Sequence, residues 1–313
     1  MNKFSFILLF SISNLLLSQN QKKELFVKYI ENEITIDGIL NEIEWESAKG
    51  VNDFYEYRPN YNNKPKNPAN IKILNDDKFL YVGIKILVSE NELRAGSLKR
   101  DFDATVSDFI ALVFDTFNDA TNAFVVGSNH LAIQRDLLLF NGGVPVGQSY
   151  DMTWDIKWIS NSFITNDYYT TEWKIPLSSF RYREGETKWG FGSYQRDSKN
   201  TAWNMWHKVP EDQDFSDMAF LGDMIFEKPL KKSKSKKTFI PYINTIVAND
   251  FENQNEYNDF EFGGDAKFVI DNSLTLDLTI NPDFSQVEVD DQITNLTRFE
   301  VSLPEKRQFF IEN

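Results

Sequence analysis

The chain has 313 residues, 33 Lys plus Arg against 47 Asp plus Glu for a formal charge of −14, and no cysteine. Without thiols there is no disulfide framework, thiolate metal site or Cys nucleophile, and only His130 and His207 offer imidazole chemistry. The acidic balance repels phosphate backbones and sets nucleic acid aside as a partner, while 41% hydrophobic and 15% aromatic residues supply enough apolar surface for a folded core.

The N-terminus reads as an address. Lys3 precedes an apolar run from Phe4 to Leu17, and the polar stretch Ser18 to Gln21 follows. The run is about 14 residues, short of the roughly 20 that a spanning helix needs, and its polarity is that of a secretory signal covering residues 1–19.

From Leu25 onward the pattern is that of strands. The runs 25–30, 34–36, 79–86, 109–114, 123–127, 154–159, 168–175 and 189–194 are short, β-branched or aromatic, and separated by Asn, Asp, Gly and Pro. Residues 20–228 are therefore expected to form an all-β, antiparallel β-sandwich. Two interruptions are expected to be helical: Gly38 to Trp45, which plugs one end of the sandwich with Trp45, and Glu90 to Lys99.

The composition changes at residues 229–237, where Lys231, Lys232, Lys234, Lys236 and Lys237 form a linker that cannot bury itself. The charge divides there into −8 before the lysine stretch, +5 on it and −11 after it. Residues 238–313 begin with three strand-like runs, 239–248, 260–270 and 273–280. In the last, Leu274, Leu276, Leu278 and Ile280 share one face. Runs of this length suit the first strands of a β-barrel, and an ordinary antiparallel sheet makes the same pattern. The smallest membrane barrels have about eight strands, so a barrel reading requires the chain to continue past Asn313.

Chemistry-bearing residues are sparse. Asp101, Asp103, Asp108, Asp115, Asp119, Glu172, Glu211 and Asp212 are the candidates for paired carboxylates, and none stands in a recognisable catalytic motif. Asp101, Asp103 and Asp108 form a candidate calcium site of clustered hard oxygens, without the twelve-residue calcium loop. Aromatic residues are denser. Trp173 and Trp189 fall at strand positions and suit the core. Trp203 and Trp206, with Arg196 and Asn204 beside them and Trp154 and Trp158 earlier in the same stretch, make the candidate carbohydrate-binding set. Their rings can stack on the apolar face of a sugar while Arg and Asn bind hydroxyls; packing over a sandwich end suits the same segment.

Ile36-Asp37-Gly38-Ile39-Leu40-Asn41-Glu42-Ile43-Glu44-Trp45 resembles the opening signature of carbohydrate-binding module family nine-like domains. Asp108 to Asp119, Trp154 to Trp158, Glu172 to Tyr182 and Trp189 to Gly192 with Arg196 extend the likeness. The tail pieces Asn281 to Asp290, Asn295 to Glu300 and Pro304 to Phe310 are similar to a family of exported bacterial proteins that joins such a sandwich to an uncharacterised outer-membrane β-barrel. The resemblance implies a sandwich of a class in which aromatic residues hold a terminal sugar and some members bind calcium. It also implies a C-terminal barrel reaching beyond Asn313, and a place in the outer membrane or periplasm of a Gram-negative bacterium. The expected function is non-catalytic carbohydrate binding at the cell envelope, with a glycan ligand and the outer membrane as partners. The alternatives are a scaffolding or docking module without sugar affinity, and a glycoside hydrolase.

Overall fold

The structure is a computed structural model describing residues 22–231, 237–250, 255–269 and 275–282. The secretory-signal segment, most of the lysine stretch, Leu274 and the tail pieces after Pro282 lie outside the described residues. In chain order the first sheet is built from β1 (Glu24–Tyr29), β2 (Tyr55–Arg58), β3 (Ala69–Asn75), β4 (Phe79–Leu87), β5 (Phe109–Asp115), β6 (Ala123–Asn129), β7 (Gln134–Leu139), β8 (Tyr150–Asp151), β9 (Ile159–Ile164), β10 (Tyr168–Pro176), β11 (Lys188–Asp197), β12 (Ala202–Met205) and β13 (Gly222–Phe226).

These strands run in the order β8-β7-β6-β5-β11-β13-β1-β3-β4-β10-β9, with β12 pairing β11 and β2. The path folds over at β1. Its first residues pair with β13, from Glu24 opposite Asp223 to Val27 opposite Phe226, and its last two, Lys28 and Tyr29, pair with β3. Both pairings are parallel, and the other strand ladders are antiparallel. One strand serving two sheets closes the sandwich at a corner without leaving that edge open.

The core between the layers holds Leu25, Ile71, Val82, Leu112, Trp173, Trp189, Phe191 and Trp206, each at most 1% exposed. Burying side chains of this size stabilises the fold by about 1.5–3 kcal/mol each. A turn of helix, α1 (Ile43–Ser47), sets Trp45 against Ile30, Ile34, Leu74 and Tyr81. Leu74, Tyr81 and Gly83 lie on the face of β3 and β4 opposite the core-facing Ile73, Val82 and Ile84, so Trp45 covers the outer face of that layer and not an end of the sandwich. Glu90 to Lys99 shortens to one turn over Glu90–Glu92.

The segment 154–159 departs from expectation. Trp154, Ile156 and Trp158 alternate into the core as in a strand, yet strand pairing begins only at Ile159. Side chains satisfy much of the backbone in its place. Asp136 Oδ2 accepts from the Ile156 amide at 2.7 Å, Arg100 Nη2 donates to the Ile156 carbonyl at 2.7 Å, and Gln134 Nε2 donates to the Trp158 carbonyl at 3.0 Å. The alternation reports burial, not the identity of the hydrogen-bond partner.

A second sheet has the order β14 (Lys237–Asp250), β15 (Asn255–Val269), β16 (Thr275–Ile280), all antiparallel. Register places Ile243 opposite Phe262, Ala266 opposite Phe239 and Leu278, and Gly264 opposite Ile280. These residues share one face, on which Phe239, Ile243, Phe262 and Ile280 are each more than 70% exposed. The other face carries Tyr242, Asp265, Lys267 and Asp277, with a Lys267–Asp277 ion pair at 3.7 Å.

Candidate ligand-binding site

The buried acids of the sandwich are occupied by the fold. Glu172 on β10 is fully buried, and three donors converge on it. Oε2 accepts from the Asp37 amide at 3.0 Å and the Gly38 amide at 2.8 Å, and Oε1 accepts from the Trp45 indole at 2.9 Å. Burial pushes its carboxyl up to about 7, against the pull of the Gly38, Trp45 and Asp37 donors. The Asp-Gly and Trp of the signature thus anchor a loop on the sheet. Gly38 sits at φ 91° with its α-carbon so near β9 that a Cβ would lie 2.6 Å from the Ser162 carbonyl carbon.

Asp101, Asp103 and Asp108 do not gather into a cation site. Asp101 Oδ1 accepts from the Asp136 amide at 3.1 Å, Asp103 Oδ1 from the Thr105 amide at 2.8 Å, and Asp108 from the Ser198 and Arg94 amides, both at 2.6 Å. Backbone donors take the oxygens that a hard cation needs. Among the described residues no group of three or more His, Cys, Asp and Glu is arranged to hold a metal ion.

The sequence-named aromatic set divides. Trp206 is 1% exposed, donates from Nε1 to Asp53 Oδ1 at 2.9 Å and packs on Phe191 with ring centroids 5.2 Å apart. Trp154 and Trp158 lie in the sandwich core, Trp158 edge-on to Trp173 at 5.3 Å. Asn204 is 1% exposed and reaches Gln195 Oε1. Asn204 is turned inward from β12, while Trp154, Trp158 and Trp206 reach the core from segments outside the strand ladders. Trp203 is different: with Tyr194 it lines a cavity on the outer face of the sheet.

That cavity exists because the strand bearing its floor, β5, is apolar from Phe109 to Phe114. Ile110, Leu112 and Phe114 of β5 face the sandwich core. Phe109, Ala111 and Val113 face outward into a second cluster with Val125, Leu137, Leu139, Met218 and Leu221. An outward face this apolar needs a cover. Two loops supply it, and they are tied to each other: Ser216 Oγ donates to the Gly143 carbonyl at 2.6 Å, and the Val146 amide donates to Asp214 Oδ2 at 3.1 Å. Gly143 is required there, at φ 80°, since a Cβ would lie 2.0 Å from the Ser216 carbonyl oxygen.

Beneath the cover remains a cavity of about 130 Å³. Val113, Leu137 and Leu139 contribute from β5 and β7, Tyr194 and Trp203 from β11 and β12, and Val146, Ser149, Tyr150 and Phe215 from the loop side. Trp203 stacks on Phe215 with centroids 5.3 Å apart and planes 21° from parallel, and the Arg196 guanidinium lies 5.0 Å from the Trp203 ring centre. Arg196 is 8% exposed and donates to the Ala202 and Thr105 carbonyls, so it supports Trp203 from below the surface. Tyr150, 43% exposed, is the most open aromatic ring of the lining. His207, 2% exposed, accepts at Nδ1 from the Ser193 amide at 3.3 Å and hydrogen-bonds the Phe215 backbone, fastening the loop to β11. Burial drives its pKa down to about 4, so it stays neutral there. Burial pushes the Tyr194 phenol up to about 12.

Arg135 completes the lining and is its one residue charged at neutral pH; the lining contains no Asp or Glu. The sequence reading missed Arg135 and Phe215 and gave Tyr150 no role. The available signal was the unbroken apolar run from Phe109 to Phe114, which marks a strand buried on both faces and hence an outer layer.

Residues 235–313 match the model of a family described as a domain of unknown function, DUF5916. No curated protein matches the chain. Among solved structures, a protein from Bacteroides uniformis provisionally described as carbohydrate-binding has a TM-score of 0.51 at 13% identity, over 66% of this chain and 100% of that one. A family 9 carbohydrate-binding module from Caldicellulosiruptor kristjanssonii is similar in its glucose complex, with a TM-score of 0.45, 15% identity and coverage of 66% and 96%. Its cellotriose complex gives 0.44, 16%, 68% and 96%. What these structures share with this chain is the β-sandwich fold.

Proposed function

We propose that this chain is an exported, non-catalytic envelope protein whose sandwich, residues 20–228, binds a carbohydrate ring in the pocket lined by Trp203, Tyr150 and Arg135. The observation that carries the reading is an aromatic-lined cavity of about 130 Å³ with no carboxylate in its lining. A dry void of roughly 150 Å³ admits benzene; a pyranose is larger, so the cavity takes one edge of the ring while the sugar's C–H face packs on the exposed Tyr150 as an apolar surface. Ser149 and Arg135 supply polar contacts for hydroxyls. Glycosidic hydrolysis needs two flanking carboxylates, and a lining without them supports binding in preference to turnover.

Calorimetric titration of the protein with glucose, cello-oligosaccharides and a wider glycan panel tests this. Binding that weakens about tenfold in Tyr150→Ala, as loss of an aromatic contact implies, is expected; absence of heat with every glycan refutes it.

The same proposal places a signal at 1–19, a lysine joint at 229–237 and the first strands of an outer-membrane β-barrel from 238 onward. The family match beginning at residue 235 supports a unit starting near the joint. The exposed apolar face of β14–β16 supports the barrel, because a membrane strand alternates lipid-facing apolar with lumen-facing polar residues. With 14 and 15 residues, β14 and β15 exceed the roughly 9–11 a tilted strand needs to cross a bilayer. Cell fractionation of a Gram-negative host should recover the protein with the outer membrane. Recovery in the soluble fraction overturns the barrel.

A further inference from the structure

We infer that the pocket selects a sugar ring bearing a carboxylate, a uronate, with Arg135 as the residue that recognises the anion. The inference rests on the carbohydrate reading above and names the ligand class of that site. In a chain of net charge −14 with 47 acidic residues, the lining of this cavity contains no Asp or Glu, and Arg135 is its one formal charge. Arg135 sits on β7 in line with Leu137 and Leu139, which carry the same face into the apolar floor.

The partners of Arg135 within the protein are weak for a full positive charge. Nη1 donates to the Phe102 carbonyl, and Nη2 lies 3.1 Å from the Met152 thioether sulfur, a poor acceptor. Nε is buried and has no partner. No carboxylate of the described residues pairs with it. The nearby acids are engaged elsewhere: Asp101 with the Asp136 amide and the Arg100 guanidinium, Asp103 with Thr105, and Asp214 at the rim with the Val146 amide. A guanidinium presents five N–H groups in a planar fork matched to a carboxylate, and here the second N–H of each terminal nitrogen is unspent beside an apolar cavity. Asp101 and Asp103 act on Arg135 only through space, without an ion pair, and a neutral sugar adds no counter-charge. A uronate places its carboxylate on Arg135 while the ring packs against Tyr150.

The test titrates the full chain with glucuronic acid, its methyl ester and glucose in low and high salt, and repeats the series in Arg135→Leu and Arg135→Lys. A charge-assisted hydrogen bond predicts that the acid binds about tenfold or more tighter than ester and glucose. The advantage should shrink in high salt, disappear in Arg135→Leu and survive in part in Arg135→Lys. The salt and ester comparisons use the unsubstituted protein, so they hold even where a variant fails to fold. Binding of glucose and ester equal to or tighter than the acid overturns the uronate inference and leaves the carbohydrate reading standing. An advantage that persists in folded Arg135→Leu also overturns it. Binding of none of the three, nor of any glycan in the wider panel, overturns both.

Discussion

Glu172 shows how a motif read as a functional signature can be a folding device. Its carboxylate takes the Asp37 and Gly38 amides and the Trp45 indole; removing it strands the buried Gly38 and Trp45 donors at about 1–3 kcal/mol each, while the Asp37 amide keeps the Thr35 carbonyl. Glu172→Ala is expected to lower the denaturant midpoint by an amount equivalent to at least about 2 kcal/mol. The pH response draws on buried groups of opposite sign: Glu172 and His207, with Asp136, raised by burial from 3.8 to about 6, acting in the same direction as Glu172. Glu172 is raised from 4.5 to about 7, so the folded state binds its proton more tightly, and the contribution is full below 4.5 and lost as pH rises through 7. His207 is lowered from 6.5 to about 4; its contribution is full above 6.5 and lost as pH falls through 4. Thermal melts across pH 3.5–8 should therefore show Glu172→Gln removing a decline toward neutral pH. His207→Gln should remove a decline on the acid side and loosen the Phe215 loop, read as a change in Trp203 fluorescence. Unchanged slopes in both variants would show that neither group governs the pH profile.

At the scale of elements, the strands were legible because alternation of apolar residues records which face is buried, and the runs at 79–86, 109–114 and 168–175 became β4, β5 and β10. Alternation does not record what bonds the backbone, so the segment around Trp154 and Trp158 was read as a strand although Asp136, Arg100 and Gln134 take much of the place of a ladder. Trp203 and Trp206 are three residues apart in an extended region, and the sequence carries no mark that β12 ends between them. One reaches the outer cavity and the other the core. In β14–β16 the alternation yields a different prediction. Ile243 lies on the apolar face and Tyr242 on the polar one. On the proposed barrel reading, Ile243→Arg should impair membrane assembly, at about 2–4 kcal/mol for a charge at mid-bilayer, and Tyr242→Gln should be tolerated. Heat-modifiable mobility on a denaturing gel of the two variants compares them. Equal behaviour contradicts a lipid-facing role for that face.

For the molecule as a whole, the sandwich class followed from sequence because many short strands with polar turns leave few other architectures. The pocket did not, since it is assembled from β5, β7, β11, β12 and two loops that lie far apart in the chain, and its cover depends on the ties between Gly143 and Ser216 and between Val146 and Asp214. The central claim is that this covered outer face, not the sandwich interior or its other end, is where a glycan binds. Amide hydrogen exchange with and without a saturating oligosaccharide measures that most directly. Slowed exchange confined to residues 143–150, 213–217 and the adjoining ends of β7 and β12 is the predicted result. Protection elsewhere on the sandwich, with these segments unchanged, would contradict it.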